Sequence, residues 1–183
     1  ESEYVRRSVA NHLNDLSRKD PEVTVETARR WLEAAAPTTL PLVRHALRTL
    51  VKRGDPDALA LLGFAPTPDV VAELTLEATE VRVGEALGLT ATVHNGGAGA
   101  ARVVVDYVVH HRKANGSQTT KVFKLTTADI GPGETLQLGR RHSFKVITTR
   151  RYHPGAHAVE LQVNGVAAGR RDFELLPADD TPL

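Results

Sequence analysis

Repeated helix signals in the first third of the chain place the strongest constraint on its fold. Residues 5–13 have a counterpart at 42–50, and the pair Asp20-Pro21 has one at Asp55-Pro56. In each pair an N-capping Asp precedes a Pro at the first helical position, where the missing N–H costs nothing. The offset of about 35–37 residues is typical of solenoids, in which helix pairs stack side by side. The sequence therefore predicts two helix pairs up to residue 64.

Polar side chains recur on the first helix of each predicted pair. At 100° per residue, one face of the first helix carries Arg7, Asn11, Asn14 and Arg18, with Asp15 at its edge. The third helix carries basic residues at intervals of four, namely Arg44, Arg48 and Lys52. A single stripe of this kind is typical of a solvated face. Its repetition on the same helix of two repeats favours a surface that binds an anionic partner.

After residue 64 the pattern changes from helix to strand. The segment 65–69 contains Pro66 and Pro68 and cannot continue a helix. Beyond it, apolar alternation predicts strands at 70–78, 86–94, 101–112, 119–127, 135–146, 156–163 and 166–175. Asn-Gly pairs at 95–96, 115–116 and 164–165 are turn signals. Seven short strands indicate an immunoglobulin-like β-sandwich, here without a disulfide because the chain has no cysteine.

The charge is uneven although the formal net charge is only +1. Between residues 113 and 151, eight basic residues stand against Asp129 and Glu134, on neighbouring strands and in the loop before Pro154. Such a patch can neutralise phosphates, and its most basic part contains Arg140, Arg141, Arg150 and Arg151. The alternative is a sheet whose outward residues are basic without binding anything.

Several classes of chemistry lack the residues they need. Without cysteine there is no disulfide framework, thiolate nucleophile or cysteine metal site, which fits a reducing compartment. The histidine spacings at 110–111 and 153–157 do not converge on an ion, so we expect no metal and no cofactor. His157 is expected to anchor a corner at the start of its strand. We expect no membrane partner, because no apolar run is long enough to span a bilayer.

Five segments carry a resemblance to a known family. Residues 6–15, 44–54 and 58–64 resemble the last repeats of the alkylpurine DNA glycosylases built from HEAT-like repeats, and residues 105–111 and 154–165 resemble the immunoglobulin-like domain that one branch of them carries. The closer resemblance is to their AlkC branch, in which an immunoglobulin-like domain follows the solenoid. It extends to about residue 176 and implies a multidomain α plus β protein. The domains would be C-terminal HEAT-like repeats (1–64), a linker (65–69), an immunoglobulin-like β-sandwich (70–176) and a flexible tail (177–183).

The resemblance also implies a function in DNA base-excision repair. The partner would be double-stranded DNA with alkylated bases, and the reaction would remove N3-alkylated bases such as 3-methyladenine, with 3-methylcytosine as a further candidate. The stripe residues and the four arginines near residues 140 and 150 would hold phosphates, while the sandwich would clamp the duplex. Asp15 is the candidate catalytic carboxylate, because this chemistry needs a stabilised cationic sugar and a positioned water. The alternative is a surface Asp15 paired with Arg18 or Lys19.

The resemblance sets expectations about the rest of the protein. The chain would be the C-terminal part of a longer cytoplasmic enzyme that is monomeric at full length. Its other catalytic carboxylates would lie in preceding repeats, so this part alone should be inactive. Two other functions remain open, a scaffold that binds a protein partner and a lesion-sensing DNA binder without chemistry. DNA binding that weakens steeply with salt would argue against the scaffold.

Overall fold

The computed structural model describes residues 2–34, 36–148 and 151–178. Arg150 and residues 179–183, which make up most of the predicted tail, lie outside this range. The chain divides into two compact units, Glu1–Pro66 and Thr67–Leu183. Helices form the first unit and an immunoglobulin-like β-sandwich forms the second, which confirms the predicted fold class. Among the described residues, no helix has the length and apolar content needed to cross a membrane.

The described residues of the first unit form five helices. They are α1 (Glu3–Leu16), α2 (Pro21–Glu33), α3 (Thr39–Ala46), α4 (Arg48–Arg53) and α5 (Pro56–Leu61). The side chains of Asp20 and Asp55 accept hydrogen bonds from backbone N–H groups at 3.3 and 2.9 Å, which confirms both predicted N-caps. Gly54 ends α4 in the left-handed conformation, at φ 73°.

One buried cluster of the helical unit joins α1 to α3. Ala10 and Leu13 of α1 pack with Ala46 of α3, and all three are buried. Three partly buried side chains pack against this cluster, namely Leu16, Trp31 and Leu42. Leu13 and Leu16 of the apolar face that the helical periodicity predicts therefore meet the neighbouring helix, whereas Val5 and Val9 of the same face are exposed.

The predicted third helix is interrupted at Leu47, which separates α3 from α4. In a continuous helix the Thr49 N–H would donate to the His45 carbonyl. Here it donates to Asn14 Oδ1 of α1 at 3.1 Å, while the His45 carbonyl accepts from Arg48 Nη1 at 2.6 Å. The Thr49 N–H and the His45 carbonyl, which would pair with each other in a continuous helix, thus each have another hydrogen-bond partner.

Asn14 caps α4 from a different helix and is only 2% exposed. The prediction that it belongs to an exposed phosphate-binding stripe is therefore wrong. A helical wheel gives the direction of a side chain but does not show which neighbouring helix covers it. Asn14 points toward the start of α4, where its carboxamide oxygen stabilises the fold by accepting the Thr49 N–H.

Among the residues that the structure describes in the second unit, eight strands are present. They are β1 (Val70–Leu76), β2 (Glu80–Arg82), β3 (Ala86–Asn95), β4 (Ala101–Arg112), β5 (Gln118–Ile130), β6 (Thr135–Ser143), β7 (Gly155–Val163) and β8 (Val166–Leu176). One sheet has the order β1-β3-β6 and the other β2-β8-β7-β4-β5. All pairs are antiparallel except β2 with β8. All seven predicted strands are present, while β2, with three residues, was not predicted.

Inward side chains of both sheets fill the sandwich. On β4 the alternate residues Val103, Val105, Tyr107 and Val109 are each at most 2% exposed. They belong to one cluster with buried residues from the other sheet, including Leu89, Ala91 and Val93 of β3. This period of two is the pattern from which the strands were predicted.

The three Asn-Gly pairs have different roles. Asn164-Gly165, at φ 48° and 76°, forms the two-residue turn between β7 and β8, as predicted. Residues 115–116 lie in the loop between β4 and β5, also as predicted. Asn95, however, closes no hairpin, because the chain crosses there from one sheet to the other. Its buried Nδ2 donates to the carbonyls of Gly99 and Ile130 at 2.8 and 2.9 Å, which fixes this crossing.

Candidate nucleic-acid interface

A hydrogen-bond network joins α1 to the α3–α4 break. Asn11 Oδ1 lies 2.9 Å from His45 Nε2 and accepts from Arg48 Nη2 at 3.1 Å. A guanidinium can only donate, so the atom it contacts must be the carboxamide oxygen of Asn11. It follows that His45 Nε2 also donates and carries a proton. The network therefore fixes the orientation of both the imidazole and the Arg48 side chain.

The charges around His45 favour its neutral form. Burial lowers the pKa of His45 below its ordinary value of 6.5, and the positive charges of Arg48 and Arg7 lower it further. A neutral imidazole with Nε2–H bound to Asn11 keeps its Nδ1 lone pair. A cavity of about 420 Å³ lies beside it, and its lining includes Glu3, Arg6, Arg7 and His45. This face of the helical unit thus gathers arginines from α1 and α4.

Most of the remaining predicted residues of the helical unit are exposed and Arg48 is half-buried, but together they do not form one continuous stripe. Arg44 lies on α3 and Lys52 on α4, so the predicted spacing of four crosses the break at Leu47. Arg18 follows the end of α1 rather than lying on it. Of the predicted set, the structure brings together Arg7, Asn11 and Arg48, and it adds His45, which was not predicted. The signal for His45 is its position one turn before Arg48.

Asp15 lies exposed on the last turn of α1. Within the part of the chain that the structure describes, its carboxylate has no hydrogen bond or ion pair. The surface pairing with Arg18 or Lys19 is therefore not formed here. The carboxylate is available to an external ligand, and its catalytic role stays a prediction.

Within the basic segment 113–151, the residues that lie on strands are on two sheet edges rather than on paired strands. Lys121 and Lys124 are on β5, the edge of the five-stranded sheet, whereas Arg140 and Arg141 are on β6, the edge of the three-stranded sheet. The expectation that they lie on neighbouring strands is wrong in this sense, because β5 and β6 belong to different sheets. The four arginines predicted to bind phosphate must therefore be considered separately.

Arg140 and Arg141 have different surroundings. Arg141 forms an ion pair with Glu77 at 2.8 Å and also donates to the Ala86 carbonyl at 3.0 Å. A phosphate at Arg141 would have to compete with this carboxylate. Burial raises the pKa of Tyr107, and Arg140, which is exposed, partly offsets this rise through its nearby positive charge.

Arg151 lies beside basic residues that were not among the predicted site residues. It lines a cavity of about 300 Å³ together with Arg112, Lys113 and Lys121. Arg112 comes just before the basic segment found in the sequence, and the β4–β5 hairpin brings it near Lys121. Only the strand register could have predicted this grouping, since the residues are separated along the chain.

His157 confirms its predicted structural role. It is 1% exposed, and its Nε2 lies 2.9 Å from the His153 carbonyl, to which it donates. Burial is the main cause that lowers the pKa of His157, so the neutral form is favoured. The imidazole thus ties the start of β7 to the segment before it.

Comparisons with known proteins agree with this architecture. The family model described as "Uncharacterised protein YhaZ, C-terminal Ig-like domain" matches residues 70–177. The uncharacterized protein YhaZ of Bacillus subtilis (strain 168) is 36% identical over 176 residues, which are 96% of this chain and 48% of that protein.

A solved structure is similar over both units. It is the Pseudomonas fluorescens alkylpurine DNA glycosylase AlkC bound to DNA containing an abasic site analog, with 37% identity and a TM-score of 0.90. The match covers 96% of this chain and 49% of AlkC, so the chain spans about half the length of either relative. With the family model matching more than half of its residues, the chain belongs to the family of the YhaZ C-terminal Ig-like domain.

Proposed function

We propose that this chain is the DNA-binding C-terminal part of an alkylation-repair glycosylase that removes N3-alkylated bases, 3-methyladenine foremost and 3-methylcytosine as a further substrate. The observation that carries the proposal is the network of Asn11, His45 and Arg48 beside Arg7. It lies in a chain that is similar to one half of AlkC, whose structure was solved with DNA. The double-stranded DNA of this proposal would carry alkylated bases.

The network suits a phosphate ligand. Arginine binds phosphate through charge-assisted hydrogen bonds, and it does so at lower entropic cost when the side chain is already held in place. Asn11 and the His45 carbonyl hold Arg48 in this way. Arg7, Arg44 and Lys52 would add further contacts from exposed positions on the same unit.

Asp15 would act on the sugar at the lesion. Excision of an N3-alkylated base develops positive charge on the sugar, which a nearby carboxylate stabilises while a water attacks. The leaving base is already cationic, so positioning and electrostatics can supply most of the catalysis. The exposed Asp15 carboxylate, without a partner among the described residues, has the accessibility that this role requires.

The rest of the catalytic surface would come from the half of the relatives that this chain does not span. We propose that the full-length protein works as a monomer in the cytoplasm. The 183-residue chain alone should therefore bind duplex DNA yet release no 3-methyladenine.

The test is release of 3-methyladenine and 3-methylcytosine from methylated DNA by a protein of the relatives' length that contains this chain. Wild type is compared with Asp15→Asn and with the control Asp57→Asn, which changes an exposed carboxylate on α5. We expect release by wild type and the control, and loss of release with retained DNA binding in Asp15→Asn. Release by all three proteins would show that Asp15 is not the catalytic carboxylate and that this group lies elsewhere in the protein.

Two further outcomes would replace the proposed function. A wild-type protein that binds DNA with a steep salt dependence but releases neither base would be a lesion-sensing DNA binder. A protein that releases no base and does not bind DNA at low salt would be a scaffold for a protein partner.

A further inference from the structure

Four cations surround a cavity at one end of the sandwich. The cavity, of about 300 Å³, lies where the β4–β5 hairpin approaches the segment before β7. Its lining includes four cations and two threonine hydroxyls, namely Arg112, Lys113, Lys121, Arg151, Thr119 and Thr120. In the part of the chain that the structure describes, no Asp or Glu lines it. Among the described residues, none of its four cations forms an ion pair.

The hairpin holds three of these cations on a defined backbone. β4 and β5 pair antiparallel, with Arg112 opposite Gln118. Lys113 N–H donates to the Ser117 carbonyl at 2.8 Å and closes the loop. Lys121 lies further along β5, with its Nζ 5.4 Å from the centre of the Phe123 ring, a cation–π distance. Residues distant in sequence therefore meet at a regular strand end.

Gly155 makes room for Arg112. Its φ of +124° is a conformation that L side chains rarely adopt. A Cβ on this glycine would lie 2.9 Å from both Cδ and Cζ of Arg112, so the arginine side chain lies directly against the backbone here. The absence of a side chain at Gly155 thus leaves the space that the Arg112 side chain occupies at the start of β7.

Two hydrogen bonds hold the segment that carries Arg151. The Tyr152 hydroxyl donates to the Ser143 carbonyl at 3.2 Å, and the His153 carbonyl accepts from His157 at 2.9 Å. The residues directly after Arg151 are therefore tied to β6 and β7. Both walls of the cavity are held in place, and its charges are brought together before any ligand arrives.

We propose that this cavity is an oxyanion site that binds phosphate groups. Lys and Arg would neutralise the phosphate charge, and the threonine hydroxyls would donate hydrogen bonds to its oxygens. Identifying the ligand as the phosphodiester backbone of duplex DNA rests on the proposed function. The site includes Arg151 but not Arg141, which is paired with Glu77.

The first test measures binding of a fluorescein-labelled undamaged duplex to the 183-residue chain by anisotropy over a range of NaCl concentrations. The double variant Lys121→Gln/Arg151→Gln removes two cavity charges at exposed positions. The control Arg170→Gln/Arg171→Gln removes two exposed charges on β8, in the same unit. Thermal denaturation would check that both variants fold like wild type.

The site predicts that the slope of log K against log salt falls in magnitude by about two for the cavity variant, because each phosphate contact contributes about 0.9. The control should keep the wild-type slope. An unchanged slope in the cavity variant, or an equal fall in the control, would overturn the proposed DNA contact.

A second measurement separates this inference from the proposed function. Inorganic phosphate is titrated at low salt into ¹⁵N-labelled chain, and the amide signals of Thr119, Thr120 and His153 are followed by NMR. Shifts that vanish in Lys121→Gln/Arg151→Gln support the oxyanion site even if wild type binds no duplex and the proposed function fails. Absence of these shifts in wild type would overturn the site.

Discussion

Replacement of Asn14 by alanine tests whether this buried side chain caps α4 or contacts a ligand. The substitution removes the acceptor of the Thr49 N–H, a hydrogen bond of 3.1 Å. An unsatisfied donor in a buried setting costs about 1–3 kcal/mol, and loss of a helix N-cap costs about 0.5–2 kcal/mol. Since Asn14 is 2% exposed, water cannot easily replace its oxygen. We expect the free energy of unfolding to fall by about 1–3 kcal/mol.

The assay is urea denaturation followed by tryptophan fluorescence. Trp31 is the only tryptophan of the chain and packs against the α1–α3 core, so its signal reports on the helical unit. For a unit of this size, 1 kcal/mol corresponds to about 4–8 °C in a melting temperature. A parallel thermal melt of the same variant should therefore show a shift of at least a few degrees.

The matched control is Asn11→Ala, which removes an amide three residues earlier on the same helix. Asn11 is exposed and its bonds to His45 and Arg48 lie at the surface, so the loss should be smaller, about 0.5 kcal/mol. If Asn14→Ala were no more destabilising than Asn11→Ala, the capping account would be refuted. If Asn14→Ala kept the stability of wild type but bound DNA more weakly, the phosphate-binding role that the sequence predicts for Asn14 would instead be supported.

Two further predictions concern the sandwich. Because burial lowers the pKa of His157 below 6.5, the unfolded chain binds more protons than the folded chain below that pH. The sandwich should therefore lose stability as the pH falls from 7 to about 5, and His157→Gln should reduce this pH dependence. Equal pH profiles of the urea midpoint in wild type and variant would contradict this prediction. Glu77→Gln should change the unfolding free energy by less than about 1 kcal/mol, because the ion pair of Glu77 with Arg141 is exposed. The same substitution should raise the affinity for duplex DNA at low salt, because it removes a negative charge and leaves the Arg141 guanidinium without its carboxylate partner. Weaker binding of the variant, measured by anisotropy, would contradict this prediction.

The elements that the sequence predicted are those whose signals are local. Asp20 and Asp55 could be predicted as helix caps, because each side chain accepts a hydrogen bond from a backbone N–H only three residues later. The long strands were predictable from alternation, since a buried face repeats over many residues. β2 was not predictable in this way, because its three residues are too few for a period and its partner, β8, lies far along the chain.

The candidate site could not be predicted in the same way, because the hydrogen-bond partners of its residues lie on other helices. Both Asn11 and Asn14 lie on the polar side of the same helical wheel, yet one bridges two side chains at the surface and the other is buried as a cap. The difference comes from the break at Leu47, which turns the Thr49 N–H toward α1. An interruption of this kind leaves no mark in the apolar spacing of residues 42–50.

Counting charges along the sequence identified the basic segment but not the cations that remain open to an anion. Arg141 and Arg151 contribute equally to such a count. In the folded chain Arg141 is neutralised locally by Glu77, whereas Arg151 lies beside three other cations, and no carboxylate of residues 2–34, 36–148 or 151–178 lines their cavity. A phosphate gains more from the second environment, because no existing pair must be broken first. The pairing of each cation, which strand order and register determine, is therefore what should decide where this unit binds phosphate.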